Sequence, residues 1–546
     1  MMRILFFTIL TATALGLLAL MVNVLAPGGW TLIKMLILLC FVGIVPWLGI
    51  CVGNAVLGFA ALMLTRDPPR AVLPVVGDIE FGAITSKVAL AVTIRDEAMS
   101  IVLPPLRALL TAIDATGYGA QFAVFILSDS RDGTAEEAAI QAWPDGRVHY
   151  RRRRVNSGFK AGNVMEFLDQ HAEAFPLTVM LDADSVMTAD AVLRLVRIMQ
   201  AAPSMGIVQH LTVGLPATSA FPRLFQFGMR AGMRSWATGQ ALWQGADGPY
   251  WGHNAILRSA AFRDHCRLPL LPDGSAILSH DQVEAARLRR AGYKVCVWAG
   301  EDGSFEANPP ALPEFLHRDS RWLAGNMQYW HLLRLPDFTA MGRWQLVQAM
   351  LLFAGAPAYT AILLLAALSA ATGGGADTPR GALAALTIAW PLALYAPKLL
   401  AYAQVLLNDR ARYGGAWRFA AGVLAETIFT LLLDAVATIH KTLAMASLAL
   451  GVRPGWLSQN RADRAVSWPE AARMFWPHTL IGLTAFAGFA ASSWAMVLWA
   501  LPWAIGLPLA IPFCVVTARP DFSEWLAQHR VAAIPEELLP IPRPCA

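Results

Sequence analysis

The sequence is poor in charge: Asp, Glu, Lys and Arg make 15% of its 546 residues, against 56% for the hydrophobic types. Its mean hydropathy is +0.47. A soluble globular protein carries more charge than this on its solvated surface, so the composition excludes that class and predicts a membrane protein. The formal net charge of +5 suits anionic lipid and phosphorylated substrates but identifies neither.

Cysteine is scarce as well, with six residues in the chain and no Cys-x-x-Cys spacing. A cytosolic domain keeps its thiols reduced, so neither a disulfide framework nor a zinc site is expected. Internal repeats are lacking, and low complexity is confined to 372–375.

Charge is missing altogether from several long runs, each longer than the roughly 20 residues that cross a bilayer. These runs are 4–26, 35–64, 345–371 and 479–517, and 382–407 is a further one that Lys398 alone interrupts. A cleaved signal peptide is the alternative for the first run, but signal h-regions are about 7–15 residues long. The last run is long enough for a hairpin of two spans.

The runs enclose one long stretch of mixed polarity, and basic residues near the span ends place that stretch in the cytosol. The predicted organisation is 1–70, two transmembrane helices; 71–340, the cytosolic domain; 341–410, two transmembrane helices; 411–477, an interfacial or re-entrant helical segment with basic loops; 478–518, a transmembrane hairpin; and 519–546, a cytosolic tail. Basic loops flank 419–451 on both sides, so a single crossing there would violate the charge rule, and a helical hairpin is predicted.

Intramembrane ionisable residues are costly and tend to mark a path through the membrane. Lys398, Glu426, Asp434 and His440 are therefore candidates to line a polar conduit. The alternatives are pairing between helices, or snorkelling in the case of Lys398.

Within 71–340, apolar runs of strand length alternate with helical patterns, which predicts an α/β fold with a parallel sheet covered on both faces. Three predicted strands, 88–94, 122–127 and 177–181, are followed by acidic residues. Polar groups at the carboxyl ends of parallel strands are the expected place of a nucleotide site. A helix N-cap is the alternative for any one of them. The doublet Asp182-Ala183-Asp184 favours a site, because a hard divalent cation carrying a diphosphate takes such oxygen ligands.

The remaining polar motifs each have a structural alternative. The arginine run 151–154 is interpreted as a solvated or lipid-facing basic patch. Lys160 precedes a glycine and an asparagine, a composition that lets backbone N–H groups approach an anion, but the signal is weak.

Three residues further along have structural alternatives of their own. His253 could be a core histidine, and Trp322 could be a membrane-interface aromatic. Asp281 could cap the helix that follows it, with Glu284 three positions later as in a capping box.

Taken in order, these motifs resemble the family 2 inverting glycosyltransferases, the processive membrane synthases typified by cellulose synthase. Longer phrases narrow the resemblance to the glucans biosynthesis glucosyltransferase H family, which makes the glucose backbone of osmoregulated periplasmic glucans. The phrases are 250–256, 265–269, 277–281 and 318–322 with Gly325-Asn326, and on the membrane side 455–459 with Arg461 and Arg464.

The resemblance implies an α/β Rossmann-like glycosyltransferase (GT-A type) domain inserted between α-helical transmembrane spans of a multi-pass protein of the bacterial inner membrane. The implied activity is inverting polymerisation of glucose from UDP-glucose into a β-linked backbone, with β-1,2 as the expected linkage and coupling to export left open. Another processive synthase, of cellulose or hyaluronan type, is the first alternative. A transporter regulated by a nucleotide sugar is the non-enzymatic one.

The resemblance also implies residue roles. Asp281 matches the general base. Asp184, with Asp182 nearer the nucleotide sugar, matches the ligands of Mg²⁺ or Mn²⁺. The substrate-binding set is Asp96, Glu97 and Asp129 for uridine and ribose; Lys160, Gly162 and Asn163 for the diphosphate; Asp182 and His253; and Arg318, Arg321 and Trp322 for the diphosphate and the acceptor sugar.

Implied partners are UDP-glucose, the growing glucan, membrane lipid and, by resemblance only, acyl carrier protein; no nucleic acid is expected. Two positions depart from the wider class. Arg318 stands where that class has glutamine, and the base follows Ser279-His280 instead of Thr-Glu.

Overall fold

The computed structural model describes residues 1–73, 82–336, 338–375, 377–452 and 463–538. The phrase at 455–459 and Arg461 lie outside these ranges. Two long apolar helices begin the chain, α1 (Met2–Leu25) and α2 (Leu32–Leu64), and a short α3 (Pro68–Val72) follows. α1 packs closely on α2, since a Cβ on Gly53 would lie 2.8 Å from the ring of Phe6.

The α/β domain alternates strands and helices from residue 88 onward, as the hydrophobic pattern predicts. Its elements are β1 (Val88–Ile94), α4 (Met99–Ala115), β2 (Phe122–Ser128), α5 (Thr134–Gln141), β3 (Val148–Arg152), α6 (Phe159–His171), β4 (Leu177–Asp182), β5 (Val186–Met187), α7 (Ala189–Ala201), β6 (Met205–His210), β7 (Val213–Gly214), α8 (Ala220–Gly232), α9 (Arg234–Gln244), β8 (Ala255–Arg258), α10 (Ser259–His265), α11 (Asp281–Arg290), β9 (Lys294–Trp298), β10 (Ser304–Glu306) and α12 (Leu312–Met327).

Seven of the strands form one sheet in the order β3-β2-β1-β4-β8-β6-β9. The four strands from β3 to β4 are parallel, but β8 runs antiparallel to both of its neighbours. The prediction of a parallel sheet is therefore wrong at β8. A strand buried on both faces is a plain apolar run whichever way it points, so its hydrophobicity does not reveal its direction. A second sheet has the order β5-β10-β7.

The main sheet is covered on both faces because successive side chains of a strand point to opposite sides. In β1, Val88, Leu90 and Val92 belong to a core shared with α4 and α7. Ala89 and Ala91 belong to the opposite core, shared with α6 and α10. The domain thus holds its strand ends rigidly, which is what a site at the sheet edge requires.

The second group of helices follows the domain. It consists of α13 (Ala340–Ala371), α14 (Arg380–Leu394), α15 (Ala396–Gln404), α16 (Ala416–Ala449), α17 (Trp468–Ser492), α18 (Trp494–Ala504), α19 (Ala510–Thr517), α20 (Pro520–Gln528) and α21 (Pro535–Leu538). Within the described ranges, five helices are long and apolar enough to cross a membrane, or six if the pair beginning with α14, bent by 66°, is one span. Pro397 lies just after that bend and lacks the N–H that would continue the helix.

A single continuous helix, α16, occupies the segment where the charge pattern predicts a hairpin. It contacts two helices of the α/β domain, α8 and α12, at separate points. The ring of Phe429 lies 5.2 Å from that of Phe221 on α8, and His440 Nε2 lies 3.1 Å from the Ser320 hydroxyl on α12. Because α16 is unbroken from Ala416 to Ala449, the predicted hairpin is wrong. α16 is also one of the helices long and apolar enough to cross a membrane, so an interfacial position stays a prediction.

Candidate active site

The carboxyl ends of β1, β2 and β4 lie side by side at one edge of the sheet. Thr93 pairs in register with Asp182, and Ile94 pairs with Ser128. The Thr93 hydroxyl lies 3.3 Å from Asp182 Oδ1. The register therefore brings together the acidic residues that follow these three strands, as the sequence predicts.

Asp96 and Glu97, which follow β1, contact backbone and basic groups nearby. Asp96 has a left-handed backbone, with φ of 61°. Its carboxylate accepts hydrogen bonds from the Arg131 backbone N–H at 3.0 Å and from Arg131 Nε at 3.2 Å. The carboxylate of Glu97 accepts a hydrogen bond from the backbone N–H of Arg95.

Asp129 forms a buried bidentate ion pair with Arg153. The distances are 2.7 Å from Nε and 2.8 Å from the second guanidinium nitrogen, and the side chains are only 6% and 3% exposed. Ser128 pairs with Arg152 across β2 and β3, so the residues that follow them are neighbours. The interpretation of 151–154 as a surface patch is therefore wrong for Arg153. Four consecutive arginines do not reveal which one turns inward at a strand end.

The three predicted diphosphate residues occupy different environments. Lys160 Nζ contacts Asp182 Oδ1 directly. Gly162 packs so tightly that a Cβ there would lie 2.1 Å from the Ser157 carbonyl oxygen. Asn163 is 1% exposed, and its amide donates to the Leu127 carbonyl at 3.1 Å. Lys160 thus faces the strand-end carboxylates, whereas Asn163 is buried between α6 and β2.

His253 is held between two carboxylates and does not lie in the apolar core. Its Nε2 lies 2.9 Å from Glu306 Oε2, and its Nδ1 lies 3.9 Å from Asp182 Oδ2. Burial lowers the pKa of His253, but the hydrogen bond and charge of Glu306 outweigh it and raise that pKa to about 9. The pKa of Glu306 is lowered, because the bond and charge of His253 outweigh the opposite effect of burial.

Sequence reasoning missed Glu306. It ends β10 as Asp182 ends β4, so the same rule of strand-end carboxylates would have found it. The strand is only three residues long, which is why its hydrophobic pattern gives no signal.

Asp281 is the first residue of α11, and its carboxylate is 31% exposed. The N-cap position belongs to His280, whose side chain makes no capping bond. His280 Nδ1 instead donates to Glu284 Oε2 at 2.8 Å and lies 3.6 Å from Asp281 Oδ1. The capping-box alternative for Asp281 is therefore wrong. Gly252, with φ of +84°, is placed so that a Cβ would lie 3.2 Å from the Asp281 carboxyl carbon.

Helix α12 carries the predicted Arg-x-x-Arg-Trp motif toward the same region. The Arg318 guanidinium lies 4.6 Å from the centre of the Trp322 ring, and Trp322 is 49% exposed. Burial lowers the pKa of Arg318, and the charges of Glu306, Asp184 and Asp319 oppose that shift. Arg321 is half-buried on the same helix.

A close glycine contact joins α12 to the loop that carries Asp281. A Cβ on Gly325 would lie 2.2 Å from the Ser279 hydroxyl and 2.9 Å from the Ser279 nitrogen. The Tyr329 hydroxyl also donates to the Ser279 carbonyl at 2.8 Å. These contacts fix the separation between Trp322 and Asp281.

One cavity of about 1590 Å³ joins this region to the apolar helices, and His253, Asp281, Glu306 and Trp322 are among its lining residues. Along α13 the lining extends from Gln345 to Ala370. At 1.5 Å per residue this is about 38 Å of helix, more than the ~30 Å of a hydrocarbon core. Its far end is polar and glycine-rich, with Gly373, Gly374, Gly375, Thr378, Arg380, Ser492 and Ser493.

The ionisable residues of the apolar helices mostly line this cavity while pairing with one another. Lys398 contacts the Glu426 carboxylate and donates to the Thr430 hydroxyl at 2.7 Å. Asp434 accepts a hydrogen bond from Tyr395 at 2.9 Å. These five residues all line the cavity. Lys398, Glu426 and Asp434 therefore both pair between helices and line a cavity, the two alternatives that the sequence offered. His440 instead stacks on His478, with 5.8 Å between ring centres.

The donor set at the sheet edge fits a divalent cation. Mg²⁺ is usually held by one or two carboxylates together with substrate phosphates. Asp182 and Asp184 would supply those carboxylates, since no group of three or more His, Cys, Asp or Glu suited to a metal occurs in the part of the chain that the structure describes. A cation here would therefore depend on phosphate oxygens to complete its ligands.

Residues 177–403 match the family model for glycosyl transferase family group 2. A glucans biosynthesis glucosyltransferase H of Rhodopseudomonas palustris (strain TIE-1) is 34% identical, over 95% of this chain and 75% of its own length. Its counterpart from Xanthomonas euvesicatoria pv. vesicatoria is 33% identical, over 95% of this chain and 85% of its own length. This chain belongs to the glucans biosynthesis glucosyltransferase H family. It is accordingly a glycosyltransferase with apolar helices on both sides of its domain, as the sequence predicts.

Among solved structures, the mannosyltransferase PcManGT from Pyrobaculum calidifontis, in complex with GDP-Man and Mn²⁺, is 19% identical over 66% of this chain and 99% of its own. The TM-score is 0.40. A likeness of this size carries no argument about activity.

Proposed function

We propose that this family member transfers glucose from UDP-glucose to the end of a growing glucan, with inversion, and so builds the β-linked backbone of osmoregulated periplasmic glucans. The observation that carries the proposal is the shared cavity: Asp281, Trp322 and the His253–Glu306 pair border the space that continues between the apolar helices. A β-1,2 linkage is part of the proposal by family resemblance.

Asp281 is proposed as the general base. Displacement at the anomeric carbon of an α-linked donor needs one carboxylate to take the proton of the attacking hydroxyl. Asp281 is accessible from the cavity and lies beside Gly252, which leaves room for a sugar at that carboxylate. A single base with no enzyme nucleophile gives inversion and therefore a β-bond.

The departing diphosphate is proposed to be held by Lys160 and by Arg318, with Arg321 on the same helix. Positive groups fixed before the reaction stabilise the charge that develops on a leaving group. Asp184 and Asp182 would hold Mg²⁺ or Mn²⁺, which supplies Lewis-acid neutralisation of the diphosphate when bound. The roles of Asp96, Glu97 and Asp129 toward uridine and ribose stay proposals.

Trp322 is proposed to receive the acceptor sugar. Its ring is half exposed on the cavity wall, and the Gly325–Ser279 contact holds it at a fixed distance from the base. An aromatic face packs on the apolar face of a pyranose, so the same ring can accept each new end of the chain. The register of successive additions would follow from this one contact.

The cavity is proposed as the path of the product, with the domain in the cytosol and the polar far end on the other side of the inner membrane. Glu426, Thr430, Asp434, Thr438 and Lys441 all line it. They recur every three or four residues along α16 and so share one face of that helix. Such a row would offer hydrogen-bond partners to the hydroxyl groups of a carbohydrate, within a wall that is otherwise apolar.

Labelled UDP-glucose given to inside-out membrane vesicles tests the activity. The proposal expects label in glycan without an ion gradient, and label trapped in the vesicle interior if the cavity is the path. UDP-GlcNAc and UDP-glucuronate as alternative donors separate this activity from hyaluronan-type synthesis, and linkage analysis separates it from cellulose-type synthesis.

Removal of divalent cations by a chelator should stop incorporation, and Mg²⁺ or Mn²⁺ should restore it. Uptake of intact donor with no glycan formed would instead indicate a transporter. Acyl carrier protein stays a predicted partner.

A further inference from the structure

The residue before the proposed base, His280, lies between two carboxylates. His280 donates to Glu284 at 2.8 Å while lying 3.6 Å from Asp281. One imidazole is therefore flanked by two carboxylates.

Glu284 is an acidic residue buried on α11. Its side chain is 2% exposed, and its carboxylate is bonded to His280. A buried carboxylate is costly without a partner. It also lies one helical turn from Asp281, where a like charge would disfavour the ionised form of the base.

We propose that His280 is a positioning residue that neutralises Glu284, so that Asp281 faces a neutral imidazolium–carboxylate pair and not a second uncompensated carboxylate. This rests on Asp281 being the base of the proposed function.

The surroundings of His280 support a protonated imidazole. Burial lowers its pKa, but the charges of Glu284 and Asp281 outweigh burial and raise it above its ordinary value. Lys160, on α6, acts in the opposite direction. Tyr250, Cys266 and Tyr329 also lie near the two carboxylates, and burial raises the pKa of each, so they stay neutral at physiological pH. Arg287, on the same helix as Glu284, is a further positive charge near Cys266.

The sign of the effect follows from these charges. A raised pKa means that the imidazolium is present below that pKa and is lost as the pH rises through it. At the acid end of the pH range His280 is thus charged, and its removal leaves Glu284 alone beside the base. The base should then bind a proton at higher pH than in the native protein.

The test is the pH profile of kcat/KM for UDP-glucose, measured on the full-length protein from about pH 5 to about pH 9, whose acid limb reports the essential base of the free enzyme. We expect His280→Gln to move the acid limb upward by about one pH unit, which is a tenfold loss at the acid end. His280→Lys, which keeps the charge, should stay close to the native limb. His265→Gln, an exposed histidine on α10, is the matched control and should change nothing.

Coincident limbs for His280→Gln and the native protein would overturn the inference, as would equal losses for the Gln and Lys variants at every pH. If neither variant accumulates, Glu284→Gln carries the test. It removes the like charge and keeps the imidazole, so its acid limb should stay or move to lower pH, and an upward move contradicts the inference. Asp281→Asn is measured alongside: full activity there refutes the proposed base itself, whereas an inactive Asp281→Asn with unmoved His280 limbs refutes only this inference.

Discussion

The two sides of the cavity mouth treat their carboxylates differently. On the side proposed to bind the donor (the donor side), Asp96, Asp129 and Asp182 each contact a basic side chain, namely Arg131, Arg153 and Lys160. On the side proposed to bind the acceptor (the acceptor side), Asp281 lines the cavity beside Gly252, and the group 3.6 Å away is His280, which is bonded to Glu284. Arginine or lysine pairs with each of these sheet-edge carboxylates, whereas the proposed base lies beside a histidine shared with Glu284. Exposure does not make this difference, since Asp182 is 34% exposed and Asp281 31%.

The largest expected effect tests the acceptor side. Asp281→Asn should lower turnover by about 10²–10⁴ with donor binding and thermal stability retained, because only the proton acceptor is lost. Glucose incorporation, UDP-glucose binding and a melting curve measure the three quantities. Asp264→Asn, at an exposed position on α10, is the control. A variant with native turnover would remove the distinction between the two sides.

Substitution in the buried Asp129–Arg153 pair on the donor side should lower the stability of the protein, unlike Asp281→Asn. Asp129→Asn removes the bidentate partner of the buried Arg153 and leaves it Glu166, at 3.8 Å, as its charged partner, so the unfolding free energy should fall by up to about 3 kcal/mol. The melting temperature reports it. Asp129→Asn combined with Arg153→Met should recover part of the loss, since no buried charge then remains. An Asp129→Asn protein of native stability would show that this pair is not structural.

Crowding the base without touching its chemistry is a finer test of the acceptor side. Gly252→Ala places a Cβ 3.2 Å from the Asp281 carboxyl carbon at φ of +84°. Gly117→Ala has nearly the same strained backbone, at φ of +82°, with nothing within 4 Å of the Cβ. Both should lose about 1 kcal/mol of stability. Only Gly252→Ala should also raise the acceptor KM, and equal kinetics for the two would argue against a sugar at Asp281.

The smallest effect is expected at the exposed donor-side pair. Arg131 is 86% exposed, so Arg131→Ala should change stability by less than about 1 kcal/mol. Chemical denaturation measures it. A loss of stability as large as that of Asp129→Asn would mean that the contribution of these ion pairs to stability does not depend on their exposure.

Much of this site follows from local sequence. The strands ending before Asp96, Asp129 and Asp182 are apolar runs, and parallel neighbours necessarily bring their carboxyl ends together. The partners of those carboxylates were not predictable, because the pairing of Asp129 with Arg153 depends on β3 lying beside β2 and on its register. The same holds for Glu306, which reaches His253 only through the second sheet.

The membrane part follows from sequence in its apolar runs and less in its geometry. Residues 345–371 and 35–64 lie within single long helices, as predicted. The continuity of α16 was missed, because charge counting assigns a side to each loop and says nothing about whether the helix between two loops is broken. Its contacts with α8 and α12 are long-range and leave no trace in the local pattern.

The anomeric configuration of the newly formed bond tests the central claim most directly. Purified full-length protein is given UDP-glucose labelled at the anomeric carbon, and the first linkage formed is read by NMR together with digestion by an anomer-specific glucosidase. One base at Asp281 and no enzyme nucleophile predict a β-bond formed from the α-linked donor. An α-bond would contradict the account, since it requires a second displacement that Asp281 alone does not provide.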